Sequence, residues 1–476
     1  VLGKKMFRTG LLDLKREIEE AMAELDMLDD PEGVDKHDEL RAMEIVCDAM
    51  IMYAGRHADK LEELAAAEAD PKRKSELKQM AEVCRWVPAH APRTVQEALQ
   101  HYWFIHLGVV TELNPWDSFN PGRLDQSLYP LYEKQIREGS ATKEDIYEVL
   151  ESFWVKFNNH PSPPKVGVTA EESNTYTDFS LINVGGVKED GSDGVNEMSY
   201  ILLDVIREMR ILQPSSMIQV SKKNPDQFIR AAVEIIKTGF GQPSVFNTDA
   251  LVQEMLRAGK DVVDARNGGC SGCVETGAFG TEAYILTGYF NLPKILELTL
   301  NNGFDKRTGK QLGLKTGCLV DYTTYEELFA AFRAQVTHFM RIKLIGNNII
   351  ERIFMRHMPV PFLSVLIEDC IKNGKDYMCG GARYNSSYVQ GVGLGSITDM
   401  LTSLRYHVYD KKDVGVEQMA AALAADFKGY EELQYQFVYK TPKYGNDDDY
   451  ADKQEVEVFD LYYDVLNGHK SPRGAN

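Results

Sequence analysis

The most informative segment of the sequence is "NGGCSGCVETGAFG", which runs from Asn267 to Gly280 and contains five glycines, two cysteines and one glutamate. Glycine allows turns and close backbone approaches that other residues prevent, so this composition predicts a narrow loop. Cys270 and Cys273 form a CxxC pair, and Glu275 follows Cys273 by two residues. A metal half-site, a redox pair, a simple turn and a nucleophile are the four interpretations to separate.

The CxxC pair does not favour a metal or a redox centre. A structural zinc site needs four ligands, and the sequence has no second CxxC and no HxxxH. A thioredoxin-like pair begins a helix, whereas Gly272 and Gly277 are poor helix formers. Free cysteine is a common buried residue, so a glycine-rich turn with two small side chains stays open as the plain alternative.

Cys273 and Glu275 form a more informative unit than the two cysteines. In an extended loop tip, residues i and i+2 point to the same side, with Cα atoms about 6.5 Å apart. The thiol and the carboxyl would then face one pocket. A carboxyl buried beside an anionic substrate keeps its proton and can share it with that substrate. No histidine or lysine stands beside them to activate the thiol, which disfavours a cysteine–histidine hydrolase.

The bulk composition excludes several kinds of partner. The chain has 476 residues, of which 43% are hydrophobic, and a formal net charge of −19. Such a charge repels nucleic acid phosphates and anionic membranes. No apolar run approaches the ~18 residues of a membrane span, and the amino end lacks signal-peptide features, so we expect a cytoplasmic protein. The seven cysteines are scattered and odd in number, which predicts reduced thiols.

The pattern along the chain predicts a single α/β domain. Residues 1–90 are rich in Ala, Glu, Lys and Leu, and Leu11, Ile18 and Met22 are spaced for one helix face. In residues 91–476 helical segments alternate with short apolar runs and with Gly, Pro and Asn punctuation. We therefore expect a helical amino-terminal part that leads into a barrel part carrying the cysteine loop.

Five stretches in a fixed order resemble the glycyl radical enzymes. They are "GCVE" with the following "GTEAYILTGYFNLPKILELTLNNG", "DSFNPGRLDQSLYPLYEK" (Asp117–Lys134), "GFGQPSVFNTDA" (Gly239–Ala250), "GKDYMCGGARYN" (Gly374–Asn385) and "KYGNDDDYAD" (Lys443–Asp452). The resemblance covers most of the chain. It implies an α/β fold, a ten-stranded barrel surrounded by helices, with the cysteine loop at its centre and the barrel incomplete at both ends of this chain.

The resemblance also implies a role for each residue of the loop. Cys273 would carry a thiyl radical, and Glu275 would be its partner acid or base. The radical is installed on a glycine by a radical S-adenosylmethionine activase, and no metal or other cofactor is expected in this chain. The glycine lies in a motif resembling "RVAGY", which this sequence does not contain. We therefore expect a fragment that is inactive alone, of an enzyme that forms a homodimer.

Details of the loop suggest a subclass of this family. Gly272 stands where the acyl transferases have a second cysteine, and Thr276 departs from the "GCVEP" of the diol dehydratases and the choline lyase. The stretches "SGCVETG", "KFNNHPSPPKVGVT", "SNTYTDFSLINVGG" and "LQPSSMIQVSKKNPDQF" resemble the arylacetate decarboxylases. This resemblance implies a carbon–carbon lyase that converts 4-hydroxyphenylacetate to p-cresol and CO2.

Other functions stay open. The alternatives are decarboxylation of indole-3-acetate to skatole, a radical C–O or C–N lyase acting on a diol, hydroxyproline or choline, and a non-catalytic truncated chain. A small iron–sulfur subunit would accompany the 4-hydroxyphenylacetate enzyme. By motif position, Ser118 and Phe179 are candidate substrate-binding residues, although a turn serine and a core phenylalanine are the plainer interpretations. His160 and His407 are candidates for the far end of the aromatic ring.

Overall fold

A three-stranded parallel sheet lies behind the cysteine loop in the computed structural model, which describes residues 2–113, 119–158, 180–272 and 274–475. The strands are β1 (Leu181–Gly185), β2 (Ser215–Val220) and β3 (Ser244–Asn247), in the order β1-β2-β3. Leu181 pairs with Ser215, and Met217 pairs with Ser244. Helices connect the consecutive strands, as parallel pairing requires.

The fold divides into two compact units, which are residues 1–285 with 354–386 and residues 286–353 with 387–476. The interpretation as one domain with a boundary near residue 90 stays a prediction. None of the helices in the described part of the chain carries an apolar stretch of the length that a bilayer span requires.

The first unit begins with helices. After a short 3₁₀ turn at Lys4–Phe7, they are α1 (Leu11–Ala23), α2 (Gly33–Ala67), α3 (Pro71–Trp86), α4 (Val95–Glu112), α5 (Leu124–Glu138) and α6 (Lys143–Phe157). Leu11, Leu14 and Ile18 form the buried face of α1, at the spacing of successive turns. Asp70 caps α3 by accepting hydrogen bonds from the Lys72 and Arg73 amides.

Further helices alternate with the sheet strands in this unit. They are α7 (Glu197–Met209), α8 (Asp226–Ile236), α9 (Thr248–Arg257) and α10 (Val262–Asn267). The cysteine loop follows α10 as an antiparallel hairpin of β4 (Gly269–Cys270) and β5 (Thr276–Gly277). Later in the chain come α13 (Pro361–Leu366), α14 (Cys370–Asn373) and a 3₁₀ turn at Tyr377–Cys379.

The second unit packs helices around an apolar core. Its elements are α11 (Leu292–Leu300), β7 (Phe304–Asp305), β8 (Lys310–Gln311), a 3₁₀ turn (Leu319–Asp321), most of α12 (Tyr325–His357), α15 (Leu394–Ser403), a π-helical turn (Leu404–Asp410), α16 (Val416–Ala424), α17 (Glu431–Tyr439) and α18 (Asp449–Leu466). Phe332 and Val336 of α12 are fully buried in this core with Leu401. Strands β6 (Glu282–Asn291) and β9 (Tyr384–Val392) form a two-stranded sheet.

Candidate active site around the cysteine loop

The glycines of the cysteine loop allow close contact with neighbouring side chains. A Cβ atom added at Gly269 would collide with the side chains of Asn183 and Gln219, and one added at Gly277 would collide with Tyr284. Only glycine provides this room without moving the neighbours. The narrow loop predicted from the composition is therefore present, and its glycines serve its close approach to the sheet.

Three buried side-chain amides hold the limb of the loop that enters from α10. Asn183 Nδ2 donates to the Cys270 carbonyl oxygen (2.9 Å), and the Cys270 N–H donates to Asn183 Oδ1 (3.2 Å). Gln219 Nε2 donates to the Gly268 carbonyl oxygen (3.0 Å), and Asn120 Nδ2 donates to the Ser271 carbonyl oxygen (2.8 Å). Each side-chain amide thus forms a hydrogen bond with a buried backbone group. Without such a partner, burial of that backbone group would be costly in free energy.

A buried guanidinium joins the sheet to the segment before the loop. Arg123 donates to the carbonyl oxygens of Arg266 (2.8 Å), Val187 (3.0 Å) and Gly185. Burial lowers the pKa of Arg123 to about 10, and the charge of Asp125 opposes this effect. Carbonyl dipoles therefore solvate much of this cation, which fixes the end of β1 relative to α10.

An ion pair holds the limb that leaves the loop. The Glu282 carboxylate accepts the Ala278 N–H (2.7 Å) and lies 2.6 Å from the Lys260 ammonium. The Ser386 hydroxyl donates to the other oxygen of the same carboxylate. The side chains of Lys260 and Glu282 are 8% and 0% exposed, so solvent does not screen their attraction.

Glu275 lies at the loop tip with a half-buried side chain. Its carboxylate oxygen Oε2 accepts the amides of Gly272 (3.3 Å) and Val274 (3.2 Å), which are the sequence neighbours of position 273. Its carbonyl oxygen accepts the Ser271 N–H (2.9 Å). The Glu275 carboxyl group therefore points toward the tip of its own loop. The predicted role of Glu275 as a proton donor or acceptor requires this orientation.

Of the other predicted site residues, the structure describes only His407. Cys273, Ser118, Phe179 and His160 lie outside the described residues, so their roles stay predictions. His407 belongs to the second unit, where its Nδ1 lies 3.0 Å from Asp413 Oδ1 and its Nε2 lies 3.0 Å from Thr441 Oγ1. Both ring nitrogens of His407 thus meet protein groups, which accounts for its burial.

Cys270 is a packing residue of the hairpin. It is fully buried against Leu181, Met217 and Met255, and its Sγ lies 3.7 Å from Thr276 Oγ1. Burial raises the pKa of the Cys270 thiol to about 12, so this thiol stays neutral near pH 7. Among the described residues, no cluster of three or more His, Cys, Asp or Glu side chains is arranged to hold a metal ion.

Sequence reasoning missed the residues that hold the loop. Asn183 interrupts the apolar run of the buried strand "LINVG", and Gln219 stands between Ile218 and Val220 in "SSMIQV", whereas buried parallel strands are usually aliphatic. Asn120 and Arg123 lie in the motif from Asp117 to Lys134, which resembles the same motif of the glycyl radical enzymes. A polar residue in the middle of a buried strand was the available indication, because such a group needs a specific partner.

Comparison with known proteins matches the whole chain to one family. The pyruvate formate lyase-like family model matches residues 2–476. The trans-4-hydroxy-L-proline dehydratase of Clostridioides difficile is 52% identical over 475 residues, which are 100% of this chain and 60% of that protein. The chain therefore spans about three fifths of the length of this relative.

Solved structures give the same result for the fold. The crystal structure of hydroxyproline dehydratase from Clostridioides difficile, with trans-4-hydroxy-L-proline bound, has a TM-score of 0.95 at 52% identity over 100% of this chain and 60% of that one. The glycerol-bound B12-independent glycerol dehydratase of Clostridium butyricum has a TM-score of 0.89 at 32% identity over 99% and 59% of the two chains. The predicted α/β barrel fold of the glycyl radical enzymes is thereby confirmed.

The predicted carbon–carbon lyase, a decarboxylase, is wrong. The relative at 52% identity is a dehydratase, and the isethionate sulfite-lyase of Oleidesulfovibrio alaskensis is 32% identical over 97% of this chain and 56% of that protein. The 4-hydroxyphenylacetate decarboxylase glycyl radical subunit of Clostridioides difficile is 29% identical over 93% of this chain and 54% of that protein. These relatives favour the alternative C–O lyase.

The error has a physical reason. A glutamate that handles protons serves a departing hydroxyl as well as a carboxylate, so Glu275 does not separate the two reactions. Thr276 departs from the "GCVEP" of the diol dehydratases, but its hydroxyl donates to the Val274 carbonyl oxygen (3.3 Å) and thus belongs to the turn of the hairpin. With a family model that matches residues 2–476 and a fold shared with solved dehydratases, the chain belongs to the pyruvate formate lyase-like family of glycyl radical enzymes.

Proposed function

We propose that this chain carries the cysteine loop of a glycyl radical C–O lyase that removes water from a hydroxylated cyclic amino acid of the trans-4-hydroxyproline type. The observation that supports this substrate is the 52% identity with trans-4-hydroxy-L-proline dehydratase across the whole chain. Identity with a sulfite-lyase of the same family is 32%. Because the chain spans three fifths of its relative, the activity is proposed for the full-length enzyme.

The proposed reaction needs a radical because the C–H bond beside the departing hydroxyl is not acidic. Cys273, as a thiyl radical, takes a hydrogen atom from the ring carbon that lies between the ring nitrogen and the carbon that bears the hydroxyl. Glu275 gives a proton to the hydroxyl, which leaves as water, and takes a proton back from the ring amine. The Cys273 thiol then returns its hydrogen atom to the product radical. The net change is the loss of one water and the formation of a cyclic imine.

The contacts of Glu275 suit this exchange of a proton. Two backbone amides orient one of its carboxyl oxygens, and its side chain is only half-buried. In this family the oxidising equivalent at the cysteine comes from a glycyl radical that a radical S-adenosylmethionine activase installs. We propose such an activase as the partner of this enzyme, while the homodimer and the cytoplasmic location stay predictions. The iron–sulfur subunit was expected only with a 4-hydroxyphenylacetate decarboxylase and is not proposed here.

The experiment uses the full-length protein of this reading frame, activated anaerobically by a radical S-adenosylmethionine activase. It is incubated separately with trans-4-hydroxy-L-proline, isethionate and propane-1,2-diol. We expect a cyclic imine from the first compound, detected by its condensation with o-aminobenzaldehyde. Release of sulfite from isethionate or of an aldehyde from the diol, without imine, would overturn the proposed substrate.

Two variants test the residues in the same assay. Cys273→Ser should abolish turnover because an oxygen-centred radical is far harder to form than a thiyl radical. Glu275→Gln keeps the shape of the side chain and removes its exchangeable proton, so kcat should fall by about 10²-fold or more. Full activity of either variant would contradict its role, and the glycyl radical signal in electron paramagnetic resonance controls for activation.

A further inference from the structure

Asn183 is a fully buried amide in the middle of β1, at a position where a strand of a parallel sheet usually carries an aliphatic side chain. Its Nδ2 donates to the carbonyl oxygens of Cys270 (2.9 Å) and Leu181 (2.9 Å). Its Oδ1 accepts the Cys270 N–H (3.2 Å). The side chain thus pairs with both polar groups of Cys270, as the peptide group of a neighbouring strand would.

Gln219 fixes the orientation of the Asn183 amide. Gln219 Nε2 donates to Asn183 Oδ1 (3.3 Å) and to the Gly268 carbonyl oxygen (3.0 Å). The Thr248 hydroxyl donates to Gln219 Oε1 (3.4 Å). A directed chain of hydrogen bonds therefore runs from Thr248 through Gln219 and Asn183 to Cys270, and all of its side chains are buried.

The two amides lie in close contact with the cysteine loop. Gly269 lies against both amides with no room for a Cβ atom. The strands that carry the amides pair with each other, with Gly185 of β1 opposite Gln219 of β2. The loop therefore contacts the sheet through the side chains of Asn183 and Gln219, in addition to forming the hydrogen bonds of its own hairpin.

We infer that Asn183 and Gln219 are positioning residues, which together form an amide clamp that sets the register of the cysteine loop on the sheet. The clamp holds Cys270, which precedes Cys273 by three residues and Glu275 by five residues in the chain. Its catalytic consequence rests on the proposed function, since a misplacement of about 1 Å at a reacting group costs about 10²-fold in rate. Its structural consequence does not depend on the reaction.

The first test measures hydrogen–deuterium exchange of the peptide that spans residues 268–278. Asn183→Asp and Gln219→Glu keep the shape of each side chain and replace the donor nitrogen by an oxygen that faces backbone carbonyls. Thr248→Val leaves both amides in place and removes only the hydroxyl that orients Gln219. We expect exchange of the loop amides to rise about tenfold or more in the first two variants and in the same direction, by less, in the third.

The matched control is Asn224→Asp. Asn224 is a buried amide that donates to the Gly186 carbonyl oxygen (2.7 Å) and to the Asp193 carboxylate (2.7 Å), so the variant loses one hydrogen bond to backbone and one to a side chain. Loop exchange should stay unchanged in this control. Unchanged loop exchange in Asn183→Asp and Gln219→Glu, or an equal rise in Asn224→Asp, would overturn the clamp. A general loss of stability would produce the second result.

The second test uses the activated full-length enzyme and its own substrate, whichever compound the turnover assay identifies. The clamp predicts that Gln219→Glu and Thr248→Val lower kcat, by up to about 10²-fold for the former, with KM within about twofold and the glycyl radical content unchanged. A parallel loss of radical content and of the unfolding midpoint would instead assign a merely structural role and overturn the inference. If the enzyme does not dehydrate hydroxyproline, the proposed function is wrong, and the hydrogen–deuterium exchange of residues 268–278 alone decides whether the clamp exists.

Discussion

The Lys260 ammonium lies 2.6 Å from the Glu282 carboxylate, in a pair that is almost completely withdrawn from solvent. The same carboxylate accepts the N–H of Ala278, the first residue after the hairpin strand β5. The entering limb of the cysteine loop is held by neutral amides, whereas the leaving limb is held by a charge. Neutral and charged contacts respond differently to substitution, because a buried charge left without its partner is far more costly than an unpaired amide.

Lys260→Met is therefore expected to lower the free energy of unfolding by about 3 kcal/mol, because it leaves the Glu282 carboxyl group buried without its cation. The double variant Lys260→Met, Glu282→Gln should recover a large part of that loss, since it removes the unpaired charge. Urea unfolding followed by circular dichroism measures both. The control is Lys237→Met, whose partner Glu234 is 69% exposed and whose expected effect is below about 0.5 kcal/mol. Equal effects of Lys260→Met and Lys237→Met would show that the buried pair contributes little.

Glu39 gives the first unit a dependence on pH. Burial, with the nearby carboxylates of Asp376 and Glu112, raises the pKa of Glu39 from 4.5 to about 7. The folded state holds the proton of Glu39 more tightly than the unfolded state does. The contribution of protonated Glu39 to the stability of the fold is therefore complete below pH 4.5 and is lost as the pH rises through about 7. Glu39 Oε1 is buried without a hydrogen-bond partner in the described part of the chain.

Glu39→Gln should therefore stabilise the protein at pH 8 and leave it nearly unchanged at pH 4.5. We expect about 1 kcal/mol at pH 8, after allowance for the solvent that reaches this side chain. Thermal unfolding at the two pH values measures the difference. Glu63→Gln, at an exposed position of the same helix α2, serves as the control and should show no such change. A gain from Glu39→Gln that is equal at both pH values would contradict the assignment.

Much of the cysteine loop could be predicted from the sequence, because local chemistry determines it. Its glycines predicted a narrow loop, which is present, whereas the reactive pair of Cys273 and Glu275 stays a prediction. The partners of the loop could not be predicted, since Asn183 and Cys270 are 87 residues apart and meet only through the tertiary fold. The reaction class was predicted wrongly, because a proton-handling glutamate is compatible with more than one leaving group.

The glycines of the chain separate into required and replaceable ones. Gly269→Ala should destabilise the protein by about 1–3 kcal/mol, because the new methyl group collides with Asn183 and Gln219. Gly55 lies within helix α2 with open space around it. Gly55→Ala should therefore stabilise the protein by about 0.5–1 kcal/mol through the higher helix propensity of alanine. Opposite signs in urea unfolding are expected, and a neutral Gly269→Ala would show that the loop can move away from the sheet.

The two cysteines of the CxxC pair should behave as unrelated residues. Cys270 is completely buried and its pKa is raised to about 12, so iodoacetamide at pH 8 should leave it unmodified in the folded protein. Cys318, which is partly exposed, should be modified many times faster, as peptide mass spectrometry can measure. In the activated full-length enzyme, Cys270→Ala should retain most of the activity, whereas Cys273→Ser should retain none. Loss of activity in Cys270→Ala, with normal folding and normal radical content, would return the CxxC pair to consideration as the chemical unit.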